Sequence, residues 1–276
     1  MRNAIGFNYR QRTFEITIQG FAENTTREKH AVGNIAESEQ QRELYRNFDL
    51  WANYFINHDW QLNVNLSFAD NYFYRDDSVA YNIAGVGDLT VIVKRFIMNK
   101  KSLDDHSISY RWLFGAGLKA PLGSYNKTHL EVPEIETKVG TILGVPEEKL
   151  DPHLQAGTGS WDFIWTTEFQ LRYGKTGASA NLSYRMNTEN SNDFRFANRF
   201  NVNSTFFHLF KINKAMLAPN LGFNYEFAER DQFQGEAYED SGGSTLFFSL
   251  GAKVYIGNFA FGVNYFNPIH QNLYDH

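Results

Sequence analysis

The feature that most constrains the fold is a stretch of strict alternation that runs from Trp161 to Tyr173, after a glycine-rich start at Gly157. Its odd-numbered positions are mostly aromatic or aliphatic: Trp161, Phe163, Trp165, Thr167, Phe169, Leu171 and Tyr173. Its even-numbered positions are mostly polar or charged: Asp162, Ile164, Thr166, Glu168, Gln170 and Arg172. Because side chains alternate across a β-strand, the pattern predicts a strand with one apolar face and one largely charged face.

The length of this strand separates two classes of sheet. Strands of soluble proteins usually have about five or six residues, whereas a tilted strand needs about nine to eleven residues to cross a lipid bilayer. Segments with the same design recur along the chain, so the sequence predicts an all-β, transmembrane, antiparallel up-and-down β-barrel. A soluble β-sandwich is the alternative, but it would have shorter strands and fewer large aromatic residues on one face.

The composition fits a barrel better than a helical membrane protein. The 276 residues include 25 Phe and 15 Tyr, yet the mean hydropathy is −0.46. No apolar run approaches the length of about 18 residues that a transmembrane helix needs. The net charge of −5 gives no reason to expect nucleic acid as a partner. The absence of cysteine is compatible with an oxidising cell envelope.

Eleven alternating segments are predicted to be strands. They cover about residues 4–18, 44–56, 60–69, 85–98, 108–120, 161–173, 177–187, 194–211, 216–228, 244–256 and 259–266. A change of face near Arg10–Arg12 predicts a bulge in the first strand. Strand-like sequence follows Met1 almost directly, so no signal peptide is visible, and an exported protein with this sequence would be a processed or trimmed form.

The connections between these strands alternate in length. Short ones are near 57–59, 99–105, 174–176, 213–215 and 257–258, and mostly longer ones are near 19–42, 70–83, 121–156, 188–193, 229–243 and after 267. Bacterial outer-membrane barrels have short periplasmic turns and long outside loops, so the first strand is predicted to rise from the periplasm. Such barrels close with an even number of strands. We therefore expect one domain over 1–276 of a barrel with about twelve strands, whose closing C-terminal strand is missing from this sequence.

Three glycine-containing segments resemble a known family of proteins. They are Gly85-Val86-Gly87-Asp88, Gly115-Ala116-Gly117-Leu118-Lys119-Ala120-Pro121-Leu122-Gly123 and Leu154-Gln155-Ala156-Gly157-Thr158-Gly159-Ser160-Trp161-Asp162. Together they are similar to outer-membrane barrels grouped as the "MetA pathway of phenol degradation" transporter family, in the form found in Bacteroidetes. The resemblance implies a transporter in the bacterial outer membrane, and it implies no catalytic residues.

Charged residues at inward-facing positions are the candidate lumen residues. They are Asp49, Asp88, Lys94, Arg111, Lys119, Asp162, Glu168, Arg172, Arg185, Arg195, Arg199, Glu226 and Lys253. Such charges would tune the selectivity of a solute pathway. The alternative is a salt-bridged plug of side chains that makes the barrel rigid. The arginines among them favour an anionic solute in an open lumen, whereas pairing with Asp162, Glu168 and Glu226 would cancel their charge.

Other motifs indicate neither an enzyme nor a metal site. No His is followed two residues later by Ser, and four strand residues separate Ser204 from His208 by about 13 Å, too far for a hydrogen bond. The acidic segment Glu131–Asp151 lacks the spacing of a calcium loop. The pair Gly85 and Gly87 starts a strand without a following helix, so it does not fit a phosphate-binding loop. We expect no enzymatic activity, no metal and no cofactor.

Two functions fit these expectations. The first is a passive channel or transporter for a small solute in the bacterial outer membrane. The second is a structural or accessory barrel of a larger outer-membrane complex, which long acidic loops and a filled interior would favour. The expected partners are outer-membrane lipid and lipopolysaccharide, together with a small solute or other outer-membrane proteins.

Overall fold

The computed structural model of the chain describes residues 3–19, 38–75, 78–102, 107–127, 151–237 and 241–274. None of these residues forms a helix that could cross a membrane. The strands are β1 (Ala4–Gln19), β2 (Ser38–Phe55), β3 (Trp60–Arg75), β4 (Ser78–Lys100), β5 (Ile108–Ala120), β6 (Asp162–Tyr173), β7 (Thr176–Asn187), β8 (Phe194–Arg195), β9 (Arg199–His208), β10 (Phe210–Ile212), β11 (Ala215–Ala228), β12 (Gln232–Phe233), β13 (Glu236–Ala237), β14 (Gly243–Ile256) and β15 (Phe259–Leu273).

All the long strands belong to one twelve-stranded antiparallel sheet. Its order is β1-β2-β3-β4-β5-β6-β7-β9-β11-β14-β15, and the short β10 pairs with β11. The three remaining short strands form a separate sheet in the order β13-β12-β8. Each long strand therefore pairs with its neighbours along the chain, and the predicted all-β up-and-down architecture is confirmed. The strands β1 and β15 stand at the two ends of the order, and the closing strand expected from the sequence stays a prediction.

The sheet is curled, because side chains from distant strands meet on its concave face. Arg12 on β1 pairs with Glu226 on β11 at 2.9 Å, although seven strands separate β1 from β11 in the sheet order. Lys94 on β4 likewise reaches across β5 to Glu168 on β6. The concave face therefore encloses an interior.

Polar and apolar side chains are distributed in the opposite way to a soluble domain. On the convex face, Phe114 and Trp165 are 49% and 39% exposed, whereas Lys119 and Asp162 on the concave face are 4% and 1% exposed. The strand β6 shows this alternation most clearly, with buried even-numbered and exposed odd-numbered residues over its first half. A continuous exposed band of aromatic residues indicates a surface that contacts an apolar environment.

The two ends of the sheet differ in their connections. The turns at 56–59, 174–175, 213–214 and 257–258 share one end, here called the short-turn end. There the left-handed conformation of Gly174, Asn213 and Gly257 lets the chain reverse in two residues. The described parts of the long connections, residues 121–127, 151–161, 188–198, 229–237 and 241–242, meet at the other end, here called the long-loop end.

Several strands extend beyond their predicted boundaries. Residues 70–75 and 78–83, which we predicted to be loop, continue β3 and β4 as a paired hairpin. Residues 267–273 belong to β15 instead of starting a loop. A hydrogen bond from Asn82 Nδ2 to Asp70 Oδ1, at 3.0 Å, joins the extended parts of β3 and β4. Most of the predicted loop 19–42, residues 20–37, lies outside the described residues.

The predicted bulge near Arg10–Arg12 is wrong. The strand β1 pairs with β2 in one continuous register from Ala4 to Gln19. The apparent change of face arises because the concave face itself becomes aromatic near the long-loop end. There Phe14 follows Arg12 on the concave face and makes an edge contact with Tyr45 at 5.9 Å. Register shifts occur instead at Leu66/Phe68, Phe73/Tyr74, Phe96/Met98 and Leu246/Phe247.

The predicted strand 194–211 is broken into three. The strand β8 pairs with β12 in the small sheet, so it leaves the wall of the curled sheet. In a wall strand with Arg195 and Arg199 facing inward, Phe194 and Phe196 would face outward, but they are only 4% and 6% exposed. Arg195 lies outside the wall with them, which corrects its assignment to the row of wall-strand lumen residues. These residues alternate because they belong to a small β-sheet among the loops. Periodicity alone does not distinguish such a strand from a strand of the large curled sheet.

Candidate functional site

The connection that follows β5 folds back into the interior. Residues 151–160 of this connection are here called the inner segment. Leu154 is 4% exposed and packs against Ile83 of β4, and Asn71 Nδ2 of β3 donates a hydrogen bond to the Leu154 carbonyl at 3.0 Å. The inner segment therefore lies against the concave face and narrows the interior at the long-loop end. The rest of the acidic segment Glu131–Asp151 lies outside the described residues.

Glycines from all three segments of the family resemblance support the inner segment. A Cβ atom on Gly87 would lie 2.9 Å from the carbonyl oxygen of Ala156, and one on Gly123 would lie 2.7 Å from the Gly157 Cα. These distances are shorter than ordinary van der Waals contacts, so any side chain would displace the backbone. The motifs therefore serve close backbone packing, and they bring three distant parts of the sequence together.

A buried ionic cluster fastens the inner segment to the wall. Lys119 Nζ lies 2.6 Å from Asp162 Oδ2 and 3.1 Å from Asp88 Oδ2, and all three side chains are at most 5% exposed. Lys119 also donates a hydrogen bond to Thr158 Oγ1. These residues are here called the Lys119 cluster. Buried charges are costly unless they are paired, so the cluster fixes the relative positions of β4, β5, β6 and the inner segment.

Asp88 is the best-supported carboxylate of this cluster. Its Oδ1 accepts a hydrogen bond from the Gly123 backbone N–H at 3.0 Å. Its Oδ2 accepts hydrogen bonds from the Thr158 backbone N–H at 3.0 Å and from the Thr158 hydroxyl at 2.8 Å. Asp162 accepts one hydrogen bond, from the Ser160 hydroxyl at 3.0 Å. The two carboxylates therefore depend on Lys119 to different extents.

The inward carboxylates whose pairing with the arginines was left open by the sequence are paired with other cations. Asp162 is paired within the Lys119 cluster. Glu168 is paired with Lys94. Glu226 is paired with Arg12, and Asp49 is paired with Arg10, each at 2.9 Å. These carboxylates therefore neutralise Lys94, Lys119 and the arginines of β1, and not the inward arginines of the other strands.

Two of the inward-facing arginines that lack such partners lie next to each other. Arg185 on β7 and Arg199 on β9 are directly opposite each other in the strand register. Among the residues that the structure describes, neither guanidinium has a hydrogen bond or an ion pair. Both line a cavity of about 180 Å³ beneath the inner segment, together with Asp162, Asn187 and Phe196. Two positive groups thus meet in one small chamber.

The remaining predicted lumen residues lie away from this chamber. Arg111 on β5 and Arg172 on β6 share the concave face with Lys119 and Asp162 but lie near the short-turn end. Lys253 on β14 lies opposite the buried Ala218 of β11. Their inward positions follow the alternation of their strands, whereas their role in a lumen stays a proposal.

His153 joins the inner segment to the other long loops. Its Nδ1 lies 2.9 Å from Asp151 Oδ1, and its Nε2 lies 2.8 Å from Asp231 Oδ2. Asp231 Oδ1 in turn accepts a hydrogen bond from the Ala197 backbone N–H at 2.6 Å. His153, Asp151 and Asp231 are here called the His153 clasp. The clasp could not be predicted from the sequence, because 78 residues separate His153 from Asp231 and no local spacing links them.

The clasp holds a charged histidine. Burial opposes protonation of His153, but its hydrogen bonds to Asp151 and Asp231 outweigh burial and raise its pKa from 6.5 to about 9. Although burial acts in the other direction, hydrogen bonds to His153 lower the pKa of both carboxyl groups. The stability contributed by His153 is therefore fully present below its ordinary pKa near 6.5 and is lost as the pH rises through about 9.

This titration gives the clasp a measurable pH dependence. We expect trypsin to cleave the intact chain after Arg195 and Arg230 faster at pH 9.5 than at pH 7, because a neutral His153 no longer holds both carboxylates. The variant His153→Gln should be cleaved quickly at both pH values, and it corrects for the pH dependence of trypsin itself. Equal cleavage ratios for the two proteins would contradict a role for the His153 charge.

Ser204 and His208 have separate partners. The Ser204 hydroxyl donates a hydrogen bond to the Phe223 carbonyl at 3.4 Å, and His208 Nδ1 lies 2.8 Å from Thr176 Oγ1. The two side chains are therefore engaged with different neighbouring strands.

Comparison with known proteins establishes the fold. No family model matches the sequence, and no curated protein matches it. The chain is similar in structure to the COG4313 outer membrane channel from Pseudomonas putida F1, with a TM-score of 0.59 and 17% identity. The alignment covers 98% of this chain and 89% of that one. Nearly the whole curled antiparallel sheet is therefore shared with that channel.

Proposed function

We propose that this chain is a passive channel for a small solute in a bacterial outer membrane. The observation that carries the proposal is the inverted surface, with exposed aromatic side chains on the convex face and charged side chains on the concave one. Such a surface suits a wall between lipid and a polar interior. The likeness to an outer membrane channel supports the same role and a non-enzymatic one. We also propose that the chain belongs to the phenol-degradation transporter family, in its Bacteroidetes form.

The lengths of the connections support one orientation of the channel. The short-turn end is proposed to face the periplasm and the long-loop end to face outward. In this orientation Trp161, 54% exposed, lies near the outer membrane surface and Tyr173, 56% exposed, lies near the inner one. Aromatic residues at both ends of a strand match the two interfacial girdles of an outer-membrane barrel.

Two cavities support a route through the long-loop end. An outer chamber of about 680 Å³ is lined by Tyr125, Asn190 and Phe233 among others. The smaller chamber of about 180 Å³ lies deeper, at Arg185 and Arg199. Both chambers border the same five residues of the inner segment: Pro152, His153, Gln155, Gly157 and Thr158. A solute would pass from the outer chamber around the inner segment, and wall charges would select it by size and charge.

Conductance in planar lipid bilayers tests this proposal. The purified full chain, refolded in detergent, should produce discrete single-channel steps, and proteoliposomes containing it should swell in small neutral solutes. The same protein unfolded in urea before addition provides the control for leaks. A folded barrel that gives no steps and no swelling would refute the channel and favour the accessory role in a larger complex.

A further inference from the structure

The opposed arginines of β7 and β9 are an electrostatic anomaly. Arg185 and Arg199 are direct cross-strand partners, and like charges in this position destabilise a sheet. Arg185 is half-buried and Arg199 is exposed, so water screens the repulsion only from the Arg199 side. The pair is a source of instability unless a negative group comes between the two guanidiniums.

The protein's own carboxylates do not supply that group. The charges that act on Arg185 are those of Asp162, Asp88, Arg199 and Arg10. Both carboxylates share Lys119 at 2.6 and 3.1 Å, and Arg10 is already paired with Asp49 at 2.9 Å. Asp231, which acts on Arg199, is bound to His153 at 2.8 Å. Among the described residues, each of these carboxylates is therefore engaged elsewhere, and neither arginine has a carboxylate within ion-pair distance.

The shape and lining of the chamber narrow the choice of anion. Guanidinium groups present paired N–H donors that match the two oxygens of a carboxylate. Phe196 and Pro152 provide apolar lining in the same chamber. A volume of about 180 Å³ restricts the occupant to a small molecule. A carboxylate on a short apolar body uses both the cationic and the apolar lining, whereas inorganic phosphate uses only the cationic side.

We propose that Arg185 and Arg199 form a binding subsite for a small organic carboxylate with a short apolar tail. The inference rests on the proposed channel function, in which the subsite is a solute-binding site within the channel. The anion relieves the repulsion between the arginines, and its tail contacts Phe196. A binding site within a channel must bind its solute weakly enough to release it, because conduction requires release.

Binding is tested by isothermal titration calorimetry on the full chain in detergent. Butyrate is the probe, and inorganic phosphate and acetate are titrated separately. Wild-type protein should bind butyrate saturably and more tightly than either comparison anion. The variant Arg185→Gln/Arg199→Gln should bind butyrate at least about tenfold more weakly, because loss of charge-assisted hydrogen bonds worth about 1.4 kcal/mol gives that factor. The control Lys211→Gln/Lys214→Gln removes two positive charges at the short-turn end and should bind like wild type.

Several results would overturn the subsite. Unchanged butyrate binding by the Arg185→Gln/Arg199→Gln variant would do so, and so would tighter binding of phosphate than of butyrate. The urea midpoint adds a separate criterion. Removing a repelling pair should leave the midpoint unchanged or higher, so a large fall would assign the arginines a structural role instead.

The calorimetry and the conductance measurement separate the two proposals. A protein that binds butyrate through its arginines but gives no conductance would refute the channel and keep the subsite. A protein that conducts but binds no butyrate would keep the channel and refute the subsite. In a conducting protein, butyrate should also reduce the chloride current of wild type and not that of the Arg185→Gln/Arg199→Gln variant.

Discussion

Replacing Lys119 with Met is expected to lower the free energy of unfolding by about 3–5 kcal/mol, the usual cost of removing one partner from a buried ion pair. The loss is large because Asp162 and Asp88 are 1% and 6% exposed and would be left in a buried site without a cation. Urea unfolding in detergent, followed by tryptophan fluorescence, measures the change. Lys100→Met, at the exposed end of β4, is the control and should unfold like wild type.

A second substitution tests the electrostatic explanation. The double variant Lys119→Met/Asp162→Asn should recover much of the lost stability, because it removes the less supported carboxylate. Asp88 keeps its hydrogen bonds from Gly123 and Thr158 in that variant. If Lys119→Met alone unfolds at the wild-type midpoint, or if the double variant unfolds even earlier, the cluster is not held by charge.

Loosening the inner segment is expected to raise the single-channel conductance severalfold. The variant His153→Gly/Leu154→Gly removes two anchors, the contact of Leu154 with Ile83 and the clasp of His153 to Asp231. Truncation of a buried leucine costs about 2–5 kcal/mol, and here that cost falls on the segment. The hydrogen bonds of the sheet are untouched, so the barrel itself should keep its urea midpoint.

The measurement combines planar bilayers with a matched control. Glu236→Gly/Ala237→Gly introduces the same two glycines into the exposed β13 and leaves both anchors in place. Its conductance should equal that of wild type. Proteolysis at the inner segment shows independently whether the segment has been released. A released segment with unchanged conductance would show that the inner segment does not limit the flow.

Much of the wall could be predicted from the sequence, because strand alternation is a local property. Successive side chains on β6 point to opposite faces of the sheet. The concave positions of Asp162 and Glu168 therefore follow from their even numbers alone. The same reasoning failed where strands leave the wall. The alternation of Phe194 and Phe196 is real, but their strand pairs with β12, and no local pattern shows which neighbour a strand will choose.

The candidate site could be predicted only in part. The inward positions of the arginines and carboxylates could be predicted from strand alternation. Their ion pairs could not, because these depend on which strands the curvature of the sheet brings together. Glu226 meets Arg12 through the curvature of the sheet, and Lys119 takes Asp162 because β5 and β6 are in register at those two residues. The inner segment was hidden for the same reason, since its contacts join residues that are distant along the chain.

The ion pair between Arg12 and Glu226 also bears on the order in which the chain folds. Neighbouring strands of the curled sheet also follow one another along the chain. The contact between Arg12 and Glu226, in contrast, joins residues that are 214 positions apart. Contacts of such long sequence separation pay their loop-closure entropy before they give any stability. The pair therefore forms only after the intervening hairpins have assembled and bent. Substitutions at it should accelerate unfolding and leave the rate of assembly unchanged, as for an interaction absent from the folding transition state.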